Sequence, residues 1–524
     1  MRKLIAGLAI VFFCLGTPKS FGQVYYKTDI PNKYLDENIF LKEKPDTTRP
    51  PSFDQIKPLL PEPHWPANPD AIKCYWSIWE REFAHLHQVT PENGFVSPYL
   101  EPPFSGDIFM WDDCFDMMFG SYGHHAFNFI GTLNDFYCKQ HKDGFICRQI
   151  SMSNGQDIFE KFNPVSTGPN LMPWAEWEYF LNFSDTNRLK KVFPPLLAYY
   201  QWYMTWRSWP DGSYFSSGWG CGMDNQPRLP KGEGFDPRFS TGFMSWIDIT
   251  LQQIFVGKIL IQMADVLDRK EDVKNIETEV EKLTTYVQTN MWDEKSAFFY
   301  DRYRDGSLNH LKSVAGYWAL LAGVVPPEDV DRFIAHLDNP DEFKRAHRVP
   351  TLSADDPGYV PGGGYWCGAV WAPTTYMVLR GLTKYGRDSL AHDIALNDLD
   401  NVVKVFTETG TFWENYIPDG TQGSGMKDFV DWDGLIPINE MIEYVFGIRP
   451  NVREGIIVWD VRLLDEHGIR NYPFGKDGLV NLICKKREKI TDKPQITVSS
   501  NVPFKLKLIW ADGSEVIDVT KTRD

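Results

Sequence analysis

Four segments of this 524-residue sequence bring carboxylates and aromatic rings together, or aromatic rings and glycines. They are Phe109-Met110-Trp111-Asp112-Asp113, Ser217-Gly218-Trp219-Gly220-Cys221-Gly222-Met223-Asp224-Asn225-Gln226-Pro227-Arg228, Gly362-Gly363-Gly364-Tyr365-Trp366-Cys367-Gly368-Ala369-Val370-Trp371, and Thr411-Phe412-Trp413-Glu414-Asn415-Tyr416-Ile417-Pro418-Asp419-Gly420. Paired carboxyl groups suit the cleavage of a glycosidic bond. One stays protonated and gives its proton to the leaving oxygen; the other stays ionised and activates water or attacks the sugar directly. Apolar surroundings raise a carboxyl pKa, and donors or cations lower it. Asp224, beside Met223 and near Trp219, suits the acid, and Glu414, between Trp413 and Tyr416, suits the base. All four segments are expected in loops, where a rigid scaffold can present them.

Other motifs carry less. Asp112-Asp113-Cys114-Phe115-Asp116 spells the D-D-x-x-D of magnesium-diphosphate sites, but no second metal-binding segment accompanies it. His124-His125 and His85-Leu86-His87 lack a partner set for a metal. Gly362-Gly363-Gly364 is a permissive loop with no phosphate-binding lysine after it. Trp174, Trp177, Trp202 and Trp206 read as core before subsite. Arg148 fits either a sugar or an internal ion pair, and Asp248 fits an N-terminal cap as well as a substrate contact. No catalytic metal or other cofactor is expected; a structural calcium stays open.

Helices must position these segments. Val273, Ile276, Val280, Leu283 and Val287 step by three and four, as do Leu251, Ile254, Phe255, Ile259, Met263 and Val266. Thr186 to Arg207 is also helical in pattern, with Pro194 and Pro195 expected to end or bend it. About twelve helices fit into residues 70–447. After Arg449-Pro450 come short alternating or β-branched runs separated by turns such as Gly475-Lys476-Asp477-Gly478. They predict a small antiparallel β domain over 448–524. Residues 23–69, with many prolines, predict an extended arm on the helical body.

Residues 1–22 carry Arg2 and Lys3, an apolar run from Leu4 to Leu15, and small residues before Gln23. That order reads as a signal peptide, and a periplasmic or secreted product is expected. No later stretch reads as long and apolar enough to span a bilayer. Without the leader the net charge moves from −16 to about −19, which disfavours nucleic acid and anionic membranes as partners. Aromatics at 15%, with 19 Trp, suit either a large core or the apolar faces of sugar rings. Seven cysteines remain with no C-x-x-C pair, so neither a zinc site nor a disulfide framework is indicated.

Over residues 100 to 447 the chain resembles the inverting α-glycosidases of the family 63 and family 37 type: processing α-glucosidases, mannosylglycerate hydrolase-like enzymes and trehalases. Trp111-Asp112 resembles the segment that grips the sugar. Gly222-Met223-Asp224-Asn225-Gln226-Pro227-Arg228 resembles the segment of the general acid, with Gln226 where Ser is usual. Gly364-Tyr365-Trp366-Cys367-Gly368-Ala369-Val370-Trp371 resembles the Tyr-Trp-Arg-Gly-Pro-Val-Trp loop. Trp413-Glu414-Asn415-Tyr416 resembles the segment of the general base, and Phe429-Val430-Asp431-Trp432-Asp433-Gly434-Leu435 the final loop. The resemblance implies a mainly α fold, an (α/α)6 toroid with its site at one open end, and hydrolysis with inversion of an oligosaccharide or disaccharide. Trp111, Asp112, Trp366 and Trp371 would shape the sugar pocket. Cys367 replaces an Arg, so either another cation, Arg148 or Arg228, fills that space or the bound sugar differs, and trehalose becomes a doubtful substrate. A polysaccharide lyase on a helical toroid and a non-catalytic carbohydrate-binding protein are the alternatives. The acidic balance and the two carboxylates weigh against both.

Overall fold

The computed structural model describes residues 30–101, 105–229 and 236–521. The leader 1–22 lies outside the described residues. Helices α1 (Pro69–Ala84), α2 (Met110–Gly120), α3 (Thr132–Tyr137), α4 (Met172–Phe183), α5 (Thr186–Trp206), α6 (Ile247–Leu267), α7 (Lys274–Asn290), α8 (Trp318–Ala322), α9 (Val330–Ala335), α10 (Ala372–Lys384), α11 (Asp388–Thr409) and the π-helical α12 (Ile436–Val445) form the body. The even-numbered helices neighbour one another in cyclic order: α2 packs on α4, α4 on α6, α6 on α8, α8 on α10, α10 on α12, and α12 with its preceding turn on α2.

Side-chain pattern explains who is inside. Every residue of α2 and α12 is buried. Amphipathic α7 buries only Ile276, Val280, Leu283 and Val287, the stripe of an outer helix. Helix α6 has the length and apolarity of a membrane span, contrary to the sequence reading, but 83% of its apolar window is buried within the protein. It is a core helix of the inner ring. Helix α5 also departs from expectation, running unbroken through Pro194 and Pro195. The prolines orphan the carbonyls of Lys190 and Lys191, which lie on the exposed face where water can serve them.

Strand β1 (Glu62–His64) comes from the N-terminal arm. Strands β2 (Asp107–Phe109) and β3 (Gln149–Ser151) form one ribbon, and β4 (Trp413–Tyr416) and β5 (Gly423–Lys427) a hairpin. Strands β6 (Ile448–Asn451), β7 (Ile456–Asp460), β8 (His467–Phe474), β9 (Gly478–Cys484), β10 (Ile496–Ser500), β11 (Phe504–Trp510) and β12 (Gly513–Val519) follow. They build two four-stranded sheets, ordered β1-β8-β9-β10 and β6-β7-β11-β12. The second sheet corrects the antiparallel expectation, because β7 pairs with β11 in parallel. The two strands are distant in sequence, and β8 to β10 build the other sheet between them.

The arm is anchored by side chains and not only by extended backbone. Its short helical turns bury Tyr34, Phe40 and Ile56. Tyr34 donates to Asp272 Oδ1 at 2.9 Å, and Asn38 donates to the Tyr137 carbonyl at 3.0 Å.

Candidate active site

The four aromatic segments converge on the N-terminal ends of inner helices. Trp111 and Asp112 lie in the first turn of α2, not in a loop, and Met110 N–H donates to the Arg148 carbonyl at 2.8 Å where β2 and β3 end. Asp224 lies in the connection from α5 to α6. Trp371 is the N-terminal cap residue of α10. Glu414 sits on β4 of the β4/β5 hairpin, again within an element and not a loop. Val370 and Tyr416 bridge the third and fourth segments through mutual backbone bonds of 2.8 and 3.0 Å.

Asp224 and Glu414 are both only partly buried, so both stay within reach of a ligand. Burial pushes the Asp224 carboxyl up to about 6, the Arg148 charge opposes that rise, and the Glu414 charge adds to it. The two carboxyl groups therefore sense each other across one space. Glu414 is clamped on both oxygens. Tyr365 donates to Oε1 at 2.6 Å and Met426 N–H donates to Oε2 at 2.9 Å. Gly425 (φ +69°) allows this approach, since a Cβ there would stand 2.5 Å from Glu414 Oε2. Two donors on separate oxygens fix the orientation of the Glu414 carboxyl group.

Asn225 staples the acid segment to the third segment. Its Oδ1 accepts from Trp366 N–H at 2.9 Å, and its Nδ2 donates to the Gly364 carbonyl at 3.0 Å. Trp366 and Trp371 depart from their expected role. Their rings stack on each other at 3.7 Å, and they are only 2% and 1% exposed. They cannot offer a ring face to a sugar. They back Tyr365 instead, whose ring meets Trp371 edge-on at 4.9 Å. Trp111 keeps a small exposed edge at 6%, and Gly222 lies flat against its ring.

Sequence reasoning misses Tyr365 and Asn225 as site residues, although both lie inside recognised segments. Only spatial proximity gives them roles. Tyr365→Phe should lower kcat by about 10- to 100-fold with KM little changed, the worth of about 1.5–3 kcal/mol for a bond to a charged group. Unchanged kcat would show that the clamp does not matter to turnover.

The two arginines separate clearly. Arg148 lies close enough to Asp224 and Asp112 for its charge to act on both, and its guanidinium stacks over Phe159 at 5.3 Å. Arg228 corrects the sequence reading, because it is not a substrate ligand. It is 2% exposed, forks onto Asp248 (2.6 and 2.9 Å) and Asp301 (2.9 and 2.6 Å), and lies over Trp246 at 4.3 Å. Its donors are committed to holding the acid segment on the start of α6. Arg228→Ala leaves two carboxylates buried without their cation and should cost about 3–5 kcal/mol of stability. Chemical denaturation measures this, and a loss below about 1 kcal/mol would contradict the buried arrangement.

Behind Asp112 runs a line of buried acids that the sequence did not announce. Burial and then the charge of Asp116 push Asp112 well above the carboxylate range. Burial pushes Asp116 to about 7, and Asp431 is raised well beyond its usual value, first by burial and then by the charge of Asp116. Asp431 has φ +110°, and its N–H donates to Glu82 Oε1 at 3.0 Å. The D-D-x-x-D motif thus belongs to this acid line. Among the described residues no group of three or more His, Cys, Asp or Glu is arranged to hold a metal ion. His124 packs 4.4 Å from the Phe183 ring and burial lowers its pKa to about 4. The seven described cysteines are all free thiols.

A partly buried acid that feels the charge of a clamped carboxylate suits the chemistry of the glycoside hydrolases, and the family match places the protein in that class. Residues 139–430 match the mannosylglycerate hydrolase MGH1-like glycoside hydrolase domain, and the chain belongs to that family. A probable mannosyl-oligosaccharide glucosidase of Schizosaccharomyces pombe is 23% identical over 306 residues, covering 51% of this chain and 37% of that one. The chain thus spans little more than a third of that relative. The solved mannosylglycerate hydrolase of Thermus thermophilus, in complex with glucose, superposes with a TM-score of 0.55 at 19% identity, over 65% of this chain and 95% of that one. The neutral trehalase of Saccharomyces cerevisiae does so with a TM-score of 0.53 at 14% identity, over 68% of this chain and 76% of that one. At these identities the structural likenesses speak to the fold alone.

Proposed function

We propose that the protein is an exported glycosidase that cleaves an α-linked disaccharide or oligosaccharide with inversion, on an (α/α)6 toroid spanning residues 70–447. The cyclic packing of the even-numbered helices supports the toroid. Residues 448–524 are the accessory β domain, 23–69 the arm, and 1–22 the leader that directs the protein to the periplasm or the medium. Asp224 gives its proton to the glycosidic oxygen as the bond to the anomeric carbon breaks. Glu414 takes a proton from the water that attacks the opposite face of that carbon. Asp224 then regains a proton from solvent. An inverting pair stands roughly 6.5–9.5 Å apart, the spacing this reading requires of the two carboxyl groups. Trp111 and Asp112 line the sugar site, and Arg148 supplies donors beside the acid.

The observation that carries this reading is the unequal treatment of two neighbouring carboxyl groups. Asp224 is lifted to about 6 by burial, with no hydrogen-bond donor to its carboxyl among the described residues, while Glu414 has a donor on each oxygen. Burial favours a proton on the first, as an acid needs, and two donors hold the second in one orientation, as a group that must aim at a water needs. The test is a panel of α-glucosides, α-mannosides and α-galactosides, with α-mannosylglycerate included. Proton NMR would follow the first-formed anomer. The β-anomer from an α-substrate is expected; an α-anomer formed first would reject inversion, and cleavage of none would reject the glycosidase reading.

A further inference from the structure

Glu414 stands on β4, so its aim depends on what holds the β4/β5 hairpin. Its two donors come from different places: Met426 from β5 of the same hairpin, Tyr365 from the loop before α10. A two-stranded hairpin is marginal by itself, so its own ladder does not fix it against that loop. The hairpin tip supplies a tie. Asp419 accepts from Arg345 Nε on Oδ1 at 2.7 Å and from the Tyr359 hydroxyl on Oδ2 at 2.9 Å, so both of its oxygens are taken. Beside it, the Pro418 carbonyl accepts from His347 N–H at 2.9 Å.

The partners of Asp419 are themselves anchored. His347 pairs with Asp398 of α11 at 2.6 Å, and both side chains are buried. Asn397, also on α11, accepts from Arg348 N–H at 2.9 Å and donates to the Ala346 carbonyl at 3.0 Å. The segment 345–348 is thus fastened to an outer helix. Tyr359 leads the other way. Val360 N–H donates to the Cys367 carbonyl at 2.9 Å, and a Cβ at Gly368 would stand 3.0 Å from the Tyr359 ring. That ring therefore lies against the turn that carries Tyr365. One carboxylate joins the hairpin of Glu414, an outer helix and the loop of Tyr365. The Arg345 and Asp419 side chains are 28% and 23% exposed, and a partly exposed ion pair adds little to stability. Its geometry matters more, because a misplacement of about 1 Å at a reacting group costs about 100-fold in rate.

We propose that Asp419 is a positioning residue for the general base: held by Arg345 and Tyr359, it fixes the hairpin tip against the loop of Tyr365 and so sets the aim of Glu414 at water. The proposal rests on the glycosidase reading, with Glu414 as the base. The test uses the full chain and its Asp419→Ala and Asp419→Asn variants. Asp419→Ala should lower kcat about 10- to 100-fold, equally on an α-glycoside and on the glycosyl fluoride, because the fault lies in water activation. KM should stay within about twofold, since no substrate contact is lost. Asp419→Asn keeps an acceptor for Tyr359 and should recover part of the loss. Combined with Tyr365→Phe, the loss should fall short of the product of the single losses, because both act through one carboxylate. The melting temperature should move by no more than about 2 °C, while hydrogen exchange of the amides in 413–427 quickens. Unchanged exchange in Asp419→Ala would remove the tie, and full kcat in that variant of an active enzyme would sink the proposal alone. A loss confined to the glycoside would attach Asp419 to the acid instead, and a rise in KM alone would make it a substrate ligand. An unmodified protein that cleaves no glycoside would sink the glycosidase reading, and the positioning role with it.

Discussion

Asp224→Asn should lower kcat on an unactivated α-glycoside by about a hundred- to ten-thousand-fold, the range for loss of a general acid. The fold should persist, because no described residue hydrogen-bonds to the Asp224 carboxyl and Asn keeps its size. The diagnostic is dependence on the leaving group. An α-glycosyl fluoride needs little help from an acid, so the variant should approach normal turnover on it. Equal losses on both substrates would remove Asp224 from the acid role. The pH profile gives an independent check. The working form is protonated, so kcat/KM should be level below the Asp224 pKa and fall as pH rises through about 6. Arg148 lowers that pKa. Arg148→Gln should therefore move the alkaline limb to higher pH, and a shift to lower pH would contradict the assignment.

Glu414→Gln should cost a similar hundred- to ten-thousand-fold, with the opposite signature. The base activates water whatever the leaving group is, so the loss should be as large on the fluoride as on the glycoside. Gln cannot accept the proton, although it keeps the volume between Tyr365 and Met426. Removing the Glu414 charge also removes a force that raises the Asp224 pKa, so the alkaline limb of the residual activity should move to lower pH. Rapid turnover of the fluoride by Glu414→Gln, together with slow turnover by Asp224→Asn, would exchange the two roles.

Much of this could be read from the chain without its fold. The stripe of Ile276, Val280, Leu283 and Val287 announces an outer helix, because helical periodicity is a property of neighbours in sequence. Alternation after Arg449 announces strands for the same reason. Asp224 and Glu414 could be proposed from the carboxylates and aromatic rings in their short runs, and Trp111 and Asp112 from the resemblance of their segment to a family motif.

What stayed hidden depends on residues far apart along the chain. Arg228 lies in a site motif, yet Asp248 and Asp301 claim its donors. Trp366 and Trp371 look like sugar platforms until their stacking buries both. Tyr365 gains its role from Glu414, 49 residues away, and Asp431 from Glu82, 349 residues away. Pro194 and Pro195 are tolerated because their orphaned carbonyls face water, and β7 pairs in parallel with β11 because the strands between them left for another sheet. Local periodicity and composition determined the elements and the reactive groups. Burial, charge proximity and partner choice exist only after distant segments pack, so the tertiary structure alone decided which polar groups are committed to the scaffold and which stay within reach of a ligand.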